Sequence, residues 1–252
     1  MKMKKKVLLA ALLSTQLTTL QAQELRDVND GTQQAAGQAS AVETTVGADV
    51  LSHYVWRGLD LGHASIQPTL GISWQGLSLT AFGSMGITDA SDPEELDLTL
   101  AYQIGGLTIG ITDYWSNDGN SGEKYFQYRS GKTCHVFEGN LAYDFGFLSL
   151  SWNTNFAGND GTNGQGKRAY SSYAELCVPF RLGGCEWVAT AGIVPYATTY
   201  YETDGFSLTN LSLRATKTLP LSSTFSFPLF VEVTSNPHSR HCWAVAGFTL
   251  AL

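Results

Sequence analysis

Long apolar runs, helical periodicity and charge are all scarce in this chain of 252 residues. The longest early apolar run, Val7 to Leu13, falls far short of the ~20 residues that a membrane-spanning helix needs, and no later run is longer. Apolar residues spaced i, i+3, i+4 and i+7 are never sustained, which argues against a helical protein. Charged residues make up 15% of the chain, against roughly a quarter in soluble globular domains. Disorder does not explain the shortage, because 12% of the residues are aromatic and disordered chains are poor in aromatics. Basic residues are the scarcer sign, 15 against 22 acidic. Four of the lysines crowd into the first six positions, so no distributed patch faces a phosphate backbone and nucleic acid is not an expected partner.

What is present begins with an export signal. Lys2, Lys4, Lys5 and Lys6 precede the apolar run, and Ala22 closes a polar stretch as a cleavage residue, the layout of a secretory signal peptide over residues 1–22. Its removal takes away four of the 15 basic residues and none of the 22 acidic ones, leaving a formal charge of −11. Residues 23–43 are small and polar without periodicity, and read as a flexible linker. From residue 44 to 252 the texture becomes a single domain of short alternating segments.

The alternation is plain in Leu148-Ser149-Leu150-Ser151-Trp152-Asn153-Thr154-Asn155-Phe156, where apolar and small polar residues take turns. A period of two places them on opposite faces of a strand. Leu96 to Ile104 and Thr224 to Val233 repeat the pattern. About twelve such segments are predicted, near 45–56, 64–74, 77–86, 95–104, 107–115, 133–145, 147–156, 169–181, 185–195, 206–217, 222–234 and 241–252. Tight connections (Gln75-Gly76, Gly105-Gly106, Gly146, Gly183-Gly184, Leu219-Pro220-Leu221) alternate with longer polar ones (57–63, 87–94, 116–132, 157–168, 196–205, 235–240).

This is the plan of an all-β fold, a transmembrane up-and-down antiparallel β-barrel of about twelve strands with short periplasmic turns and longer extracellular loops. A sheet in a bilayer cannot leave an edge unpaired, so it closes on itself and turns one face to lipid. Aromatics band accordingly. Trp74, Tyr143, Phe145, Phe147, Phe180, Trp187, Phe225 and Phe227 fall at the short-turn end, and Tyr54, Trp56, Trp115, Phe156 and Tyr196 at the loop end, as two interfacial girdles. The last strand turns Ala246, Phe248 and Leu250 outward and so Trp243 inward unless a bulge intervenes. A secreted β-sandwich shares the alternation, but not the two girdles or the regular sequence of turns and loops.

Parity directs Asp49, Asp97, Glu138, Asp144, Glu175 and Glu232 inward, opposed by Arg214, with Tyr173 and Phe230 on the same face. An acidic inner wall favours cations, so the expected function is a bacterial outer-membrane porin-like channel for small solutes with weak cation selectivity. A closed barrel whose loops serve adhesion or partner recognition is the alternative, since twelve strands lie between a filled interior and an open channel. The expected surroundings are the outer-membrane bilayer and small solutes, with oligomeric state left open. No cofactor is expected and no resident metal is assigned. Cys134-His135 and His238 to Cys242 would supply rim ligands only if their loops met. Catalysis has no support, because no His is visibly placed beside a Ser with an orienting acid. Four cysteines in an exported chain point to disulfides, with Cys177–Cys185 and Cys134–Cys242 as candidate pairs.

Tyr54-Val55-Trp56-Arg57-Gly58, Ile66-Gln67, Glu95-Leu96-Asp97 and Tyr102 resemble the pattern of the TorF family of outer-membrane porins over roughly residues 44–115. The chain differs from that pattern at Ala101, in place of a glycine, and ends on Leu252 rather than an aromatic residue. The resemblance implies the barrel fold and the outer membrane, not a substrate. Arg57 at the mouth has two readings: a side chain projecting into the entrance to pair with an acid such as Asp60 or Asp97, or an interfacial anchor beside Trp56.

Overall fold

In the computed structural model residues 42–89, 91–117, 124–220 and 226–251 are described. The expected signal peptide, the expected linker up to residue 41, Leu221, Phe225 and Leu252 lie outside them. Among the described residues there are fourteen strands and no helix: β1 (Glu43–Leu51), β2 (Tyr54–Trp56), β3 (Leu59–Gly62), β4 (Ser65–Trp74), β5 (Leu77–Gly86), β6 (Glu94–Ile104), β7 (Leu107–Asn117), β8 (Val136–Asp144), β9 (Ser149–Gly158), β10 (Ser172–Leu182), β11 (Cys185–Val194), β12 (Ser207–Pro220), β13 (Ser226–Asn236) and β14 (His241–Ala251).

Twelve of them close into an antiparallel barrel in the order β1-β14-β13-β12-β11-β10-β9-β8-β7-β6-β5-β4. From β4 to β14 each strand pairs with the next in the chain, and β1 closes the ring between β4 and β14, with Asp49 opposite Thr249 of β14. The tight turns close as their residues demand. Gln75 and Gly76 have φ of 51° and 85°, Gly183 and Gly184 of 61° and 71°, the positive pairs that a two-residue hairpin of the right twist requires. Leu219 and Pro220, expected in a turn, belong to strand β12.

The two faces separate cleanly. Outward side chains such as Leu70, Ile72, Leu79, Leu100, Ile109, Ile111, Val231 and Val233 are about half exposed, while the alternate residues Gln67, Thr69, Thr99, Thr112 and Asn153 are buried. An apolar outer wall over a polar interior is the reverse of a water-soluble domain, and it is the arrangement that lipid favours. Trp74, Tyr143, Phe145 and Phe147 are exposed at the short-turn end and Phe156 and Tyr196 at the loop end. Trp243 turns inward against Leu51, Phe230 and Val245, because β13 and β14 pair without a bulge.

Two expectations are corrected. The first strand stops at Leu51, where Ser52 bonds Ala246 with both its backbone N–H and its hydroxyl; Tyr54–Trp56 then pairs with Leu59–Gly62 as a separate hairpin. Tyr54 and Trp56 therefore do not belong to the loop-end girdle. The second correction concerns cysteine, since neither Cys177–Cys185 nor Cys134–Cys242 forms a disulfide. Cys177 pairs with Thr190 and Cys185 with Leu182 in one unbroken register, so the two thiols lie on opposite faces and about 16 Å apart along the strands. Strands β8 and β14 are six places apart in a ring of twelve, so Cys134 and Cys242 stand at opposite sides of the mouth.

Candidate functional site

Twelve strands spaced ~4.8 Å apart and tilted ~40° give a ring roughly 24 Å across between backbones. Side chains from the wall leave a space about as wide as one β-hairpin. The hairpin of β2 and β3 occupies it. At its tip Arg57 and Gly58 have φ of 52° and 79°, again a pair of positive values in a two-residue turn. Gly58 is obligatory for a second reason, since a Cβ there would lie 1.8 Å from the backbone oxygen of Thr209.

The tip reaches across the whole barrel. Trp56 stacks edge-on against Tyr114 of β7, and Tyr54 donates its hydroxyl to Glu95 of β6 at 2.8 Å. On the far side Asn236 of β13 donates to the Gly58 carbonyl at 3.0 Å, and Gly58 abuts Thr209 of β12. Strands β7 and β13, and likewise β6 and β12, are diametrically opposed in the ring. A segment touching both pairs spans the interior.

Arg57 anchors it. Its guanidinium donates to Glu138 of β8 through Nη1 at 2.6 Å and Nη2 at 3.0 Å, and Nη1 also donates to the Tyr201 hydroxyl at 2.6 Å. The same plane lies 4.4 Å from the Trp56 ring centre and 4.7 Å from that of Tyr173. Glu138 accepts further bonds from the Tyr114 hydroxyl at 2.9 Å and the Asn140 amide at 2.7 Å. Both ionic side chains are sealed, 1% and 0% exposed. Charge removed from water at such cost persists only with this degree of bonding. Tyr200 and Tyr201, in the connection between β11 and β12, close over the tip and pack on Trp56.

Below the hairpin the wall carries a relay of polar side chains across five strands: Thr99 to Thr112 at 3.0 Å, Thr112 to Asn140 at 2.9 Å, Asn140 to Asn153 at 3.0 Å, and Asn153 to the Tyr173 carbonyl at 3.5 Å. Glu175 accepts the Tyr173 hydroxyl at 2.5 Å. Interior aromatics stand over interior glycines. A Cβ on Gly192 would strike the Tyr173 hydroxyl, and one on Gly247 the Phe230 ring.

A second arginine lies elsewhere on the same inner face. Arg214 of β12 approaches Glu232 of β13 at 3.7 Å and covers the Phe230 ring at 3.6 Å. Asp49 accepts the Thr249 hydroxyl at 2.6 Å. Thus Asp49, Asp97, Glu138, Asp144 and Glu175 are buried and Glu232 is paired with Arg214. Asp144 has a structural task too, accepting the Gly146 N–H at 2.6 Å in its turn. Arg57 pairs with Glu138, not with Asp60 or Asp97. The strand pattern pointed to Glu138 but did not link it to Arg57, 81 residues away, and Tyr200 and Tyr201 carried no signal at all.

The rim histidines expected to meet stay apart. His135 lies between Asp113, 2.7 Å from Nδ1, and the Tyr125 carbonyl, 2.5 Å from Nε2, half a ring away from His238 and His241, so the rim ligands do not meet. Among the described residues Ser207 and His238 come together at 3.2 Å. Its other ring nitrogen faces the Glu202 carbonyl rather than a carboxylate, the Ser207 hydroxyl donates to Gly205 at 3.2 Å, and Ser207 is only 6% exposed. This is an arrangement of loop packing rather than of nucleophilic attack.

No protein-family model matches the chain, and no curated protein does. The family suggested by Tyr54 to Gly58 therefore remains a resemblance. Among solved structures, the crystal structure of an outer membrane channel from Pseudomonas putida F1 is similar at 11% identity and a TM-score of 0.40, covering 88% of this chain and 99% of that one. The barrel assignment rests on this chain's own strand pairing.

Proposed function

We propose that the chain is a porin-like channel of the bacterial outer membrane, passing small solutes by diffusion with a weak preference for cations, and that the β2–β3 hairpin is its plug. The single observation that carries this reading is the Arg57 tip held across a closed barrel by Glu138. A lumen built only to be filled needs no separate hairpin, because wall side chains fill it, as they do in eight-stranded barrels. An inserted segment with a two-residue tip is a removable obstruction. The apolar outer wall and its aromatic bands support the membrane setting. An excess of inward carboxylates, Glu95 and Asp97 of β6 among them, over the two arginines supports the cation preference.

The alternative, a permanently closed barrel whose loops recognise a partner, draws on one specific observation: at the level of Arg57 the side chains of Glu138, Tyr173 and Tyr201 are almost wholly covered. Current through protein refolded in a planar bilayer, with the reversal potential under a salt gradient, separates the two. Discrete openings with cation preference are expected. Openings with anion preference would overturn the selectivity, and silence from a barrel shown to be folded by heat-modifiable gel mobility would favour loop recognition.

A further inference from the structure

The hairpin is flanked at its foot by two histidines, His53 before β2 and His63 after β3, and acidic residues gather around them. His63 Nδ1 lies 2.9 Å from Asp92 Oδ1 and 4.0 Å from Asp89 Oδ2. His53 Nε2 lies 2.9 Å from Asp60 Oδ1, and the two imidazole rings meet edge to face at 5.9 Å. We propose that His63, Asp89 and Asp92 form a binding site for a divalent transition-metal ion, of the kind that takes mixed imidazole and carboxylate ligands, such as Zn²⁺ or Ni²⁺.

The geometry is that of a ligand set. One donor atom from each residue lies within 4.8 Å of the other two, and two ligands on a tetrahedral zinc stand about 3.4 Å apart. The distances of 2.9 and 4.0 Å bracket that spacing, so small side-chain rotations bring all three onto one ion. Asp92 is set for the task. Its side chain is only 9% exposed in an otherwise open loop, its second oxygen accepts the His63 backbone N–H at 2.9 Å, and it is admitted by two glycines. A Cβ on Gly62 would lie 3.0 Å from its Cγ, and one on Gly86 would lie 2.8 Å from its Cβ. Asp89 is held by the Ser91 N–H and hydroxyl at 2.9 and 2.7 Å through Oδ1, leaving Oδ2 toward His63. Water supplies the remaining positions on this exposed side. Binding releases to solvent any proton held on Nδ1, since the imidazole must offer its lone pair.

An ion here would tie the foot of the plug to the connection between β5 and β6. That consequence rests on the channel reading; the site itself does not, and the test is independent of current. Zn²⁺ is titrated calorimetrically into the full refolded barrel in detergent at neutral pH. One ion per chain is expected, with affinity reduced about tenfold or more in H63A and in D92N, and unchanged in H241A. D89N, at an exposed position, provides a loss that folding cannot explain. No zinc uptake by the wild type, or wild-type affinity in H63A and D89N, overturns the proposal.

Discussion

Arg57 and Arg214 both lie inside the barrel, each over an aromatic ring and each facing a glutamate, yet they are built differently. Arg214 projects from a wall strand to a residue on the next strand, at 3.7 Å, with side chains 15% and 24% exposed. Arg57 rides on a hairpin that no wall strand holds by its ladder, and its pair with Glu138 is bidentate, sealed and supported by Tyr114, Asn140 and Tyr201. A wall residue is positioned by the sheet, so its ion pair adds little. A residue on the inserted hairpin lacks that support, so its ion pair carries much of the placement of the segment. The difference marks the hairpin as an inserted element with one principal latch.

Glu138→Ala is expected to be the most damaging single change, because it leaves a buried guanidinium without its partner; the cost is about 3–5 kcal/mol if the hairpin stays in place. Expulsion of the hairpin limits the loss and shows as increased current. Heat-modifiable gel mobility and conductance on the same sample distinguish these results. Glu232→Ala, at the looser wall pair, should cost less than Glu138→Ala and leave conductance nearly unchanged. Equal effects at Glu138 and Glu232 would dissolve the contrast.

Gly58→Ala comes next. A positive φ and the Thr209 backbone both oppose a side chain there, so the tip should be displaced while the barrel wall keeps its stability. Increased current with an unchanged unfolding temperature of the wall is the expected result.

The smallest effects concern the mouth and the thiols. Hydrogen bonding to Asp92, with the charges of Asp92, Asp89 and Asp60 around it, raises the His63 pKa above its ordinary value of 6.5, and the ring of His53 is the other neighbour. A raised imidazole pKa stabilises the folded state below pH 6.5, and this contribution fades as pH rises through the raised value. Wild type should therefore exceed H63A in heat stability slightly at pH 5.5 to 6, with the gap closing toward alkaline pH; a gap that widens upward contradicts the pairing. For the cysteines, intact mass after denaturing alkylation should show four modified thiols with or without reductant.

The wall was legible in the sequence because a period of two is local. Segments such as 77–86 and 185–195 need nothing beyond their own alternation and the turn residues beside them. Arg57-Gly58 was harder to read. Tyr54-Val55-Trp56 continues the alternation of the first strand, and an arginine with positive φ gives none of the Asn-Gly or Asp-Gly signal that marks a tight hairpin. The choice of Glu138 as partner depends on ring closure, which brings together residues far apart in the chain. The even spacing of Cys177 and Cys185 across a two-residue turn sets them on opposite faces, and the unbroken register keeps them there.

The most direct test of the plug is to excise residues 53–63, join Ser52 to Ala64 through a short Gly-Ser linker, and compare single-channel currents with the wild type once both are shown to be folded barrels. A several-fold larger and steadier conductance in the excised protein is predicted. An excised barrel that folds and remains as silent or as narrow as the wild type would contradict the account.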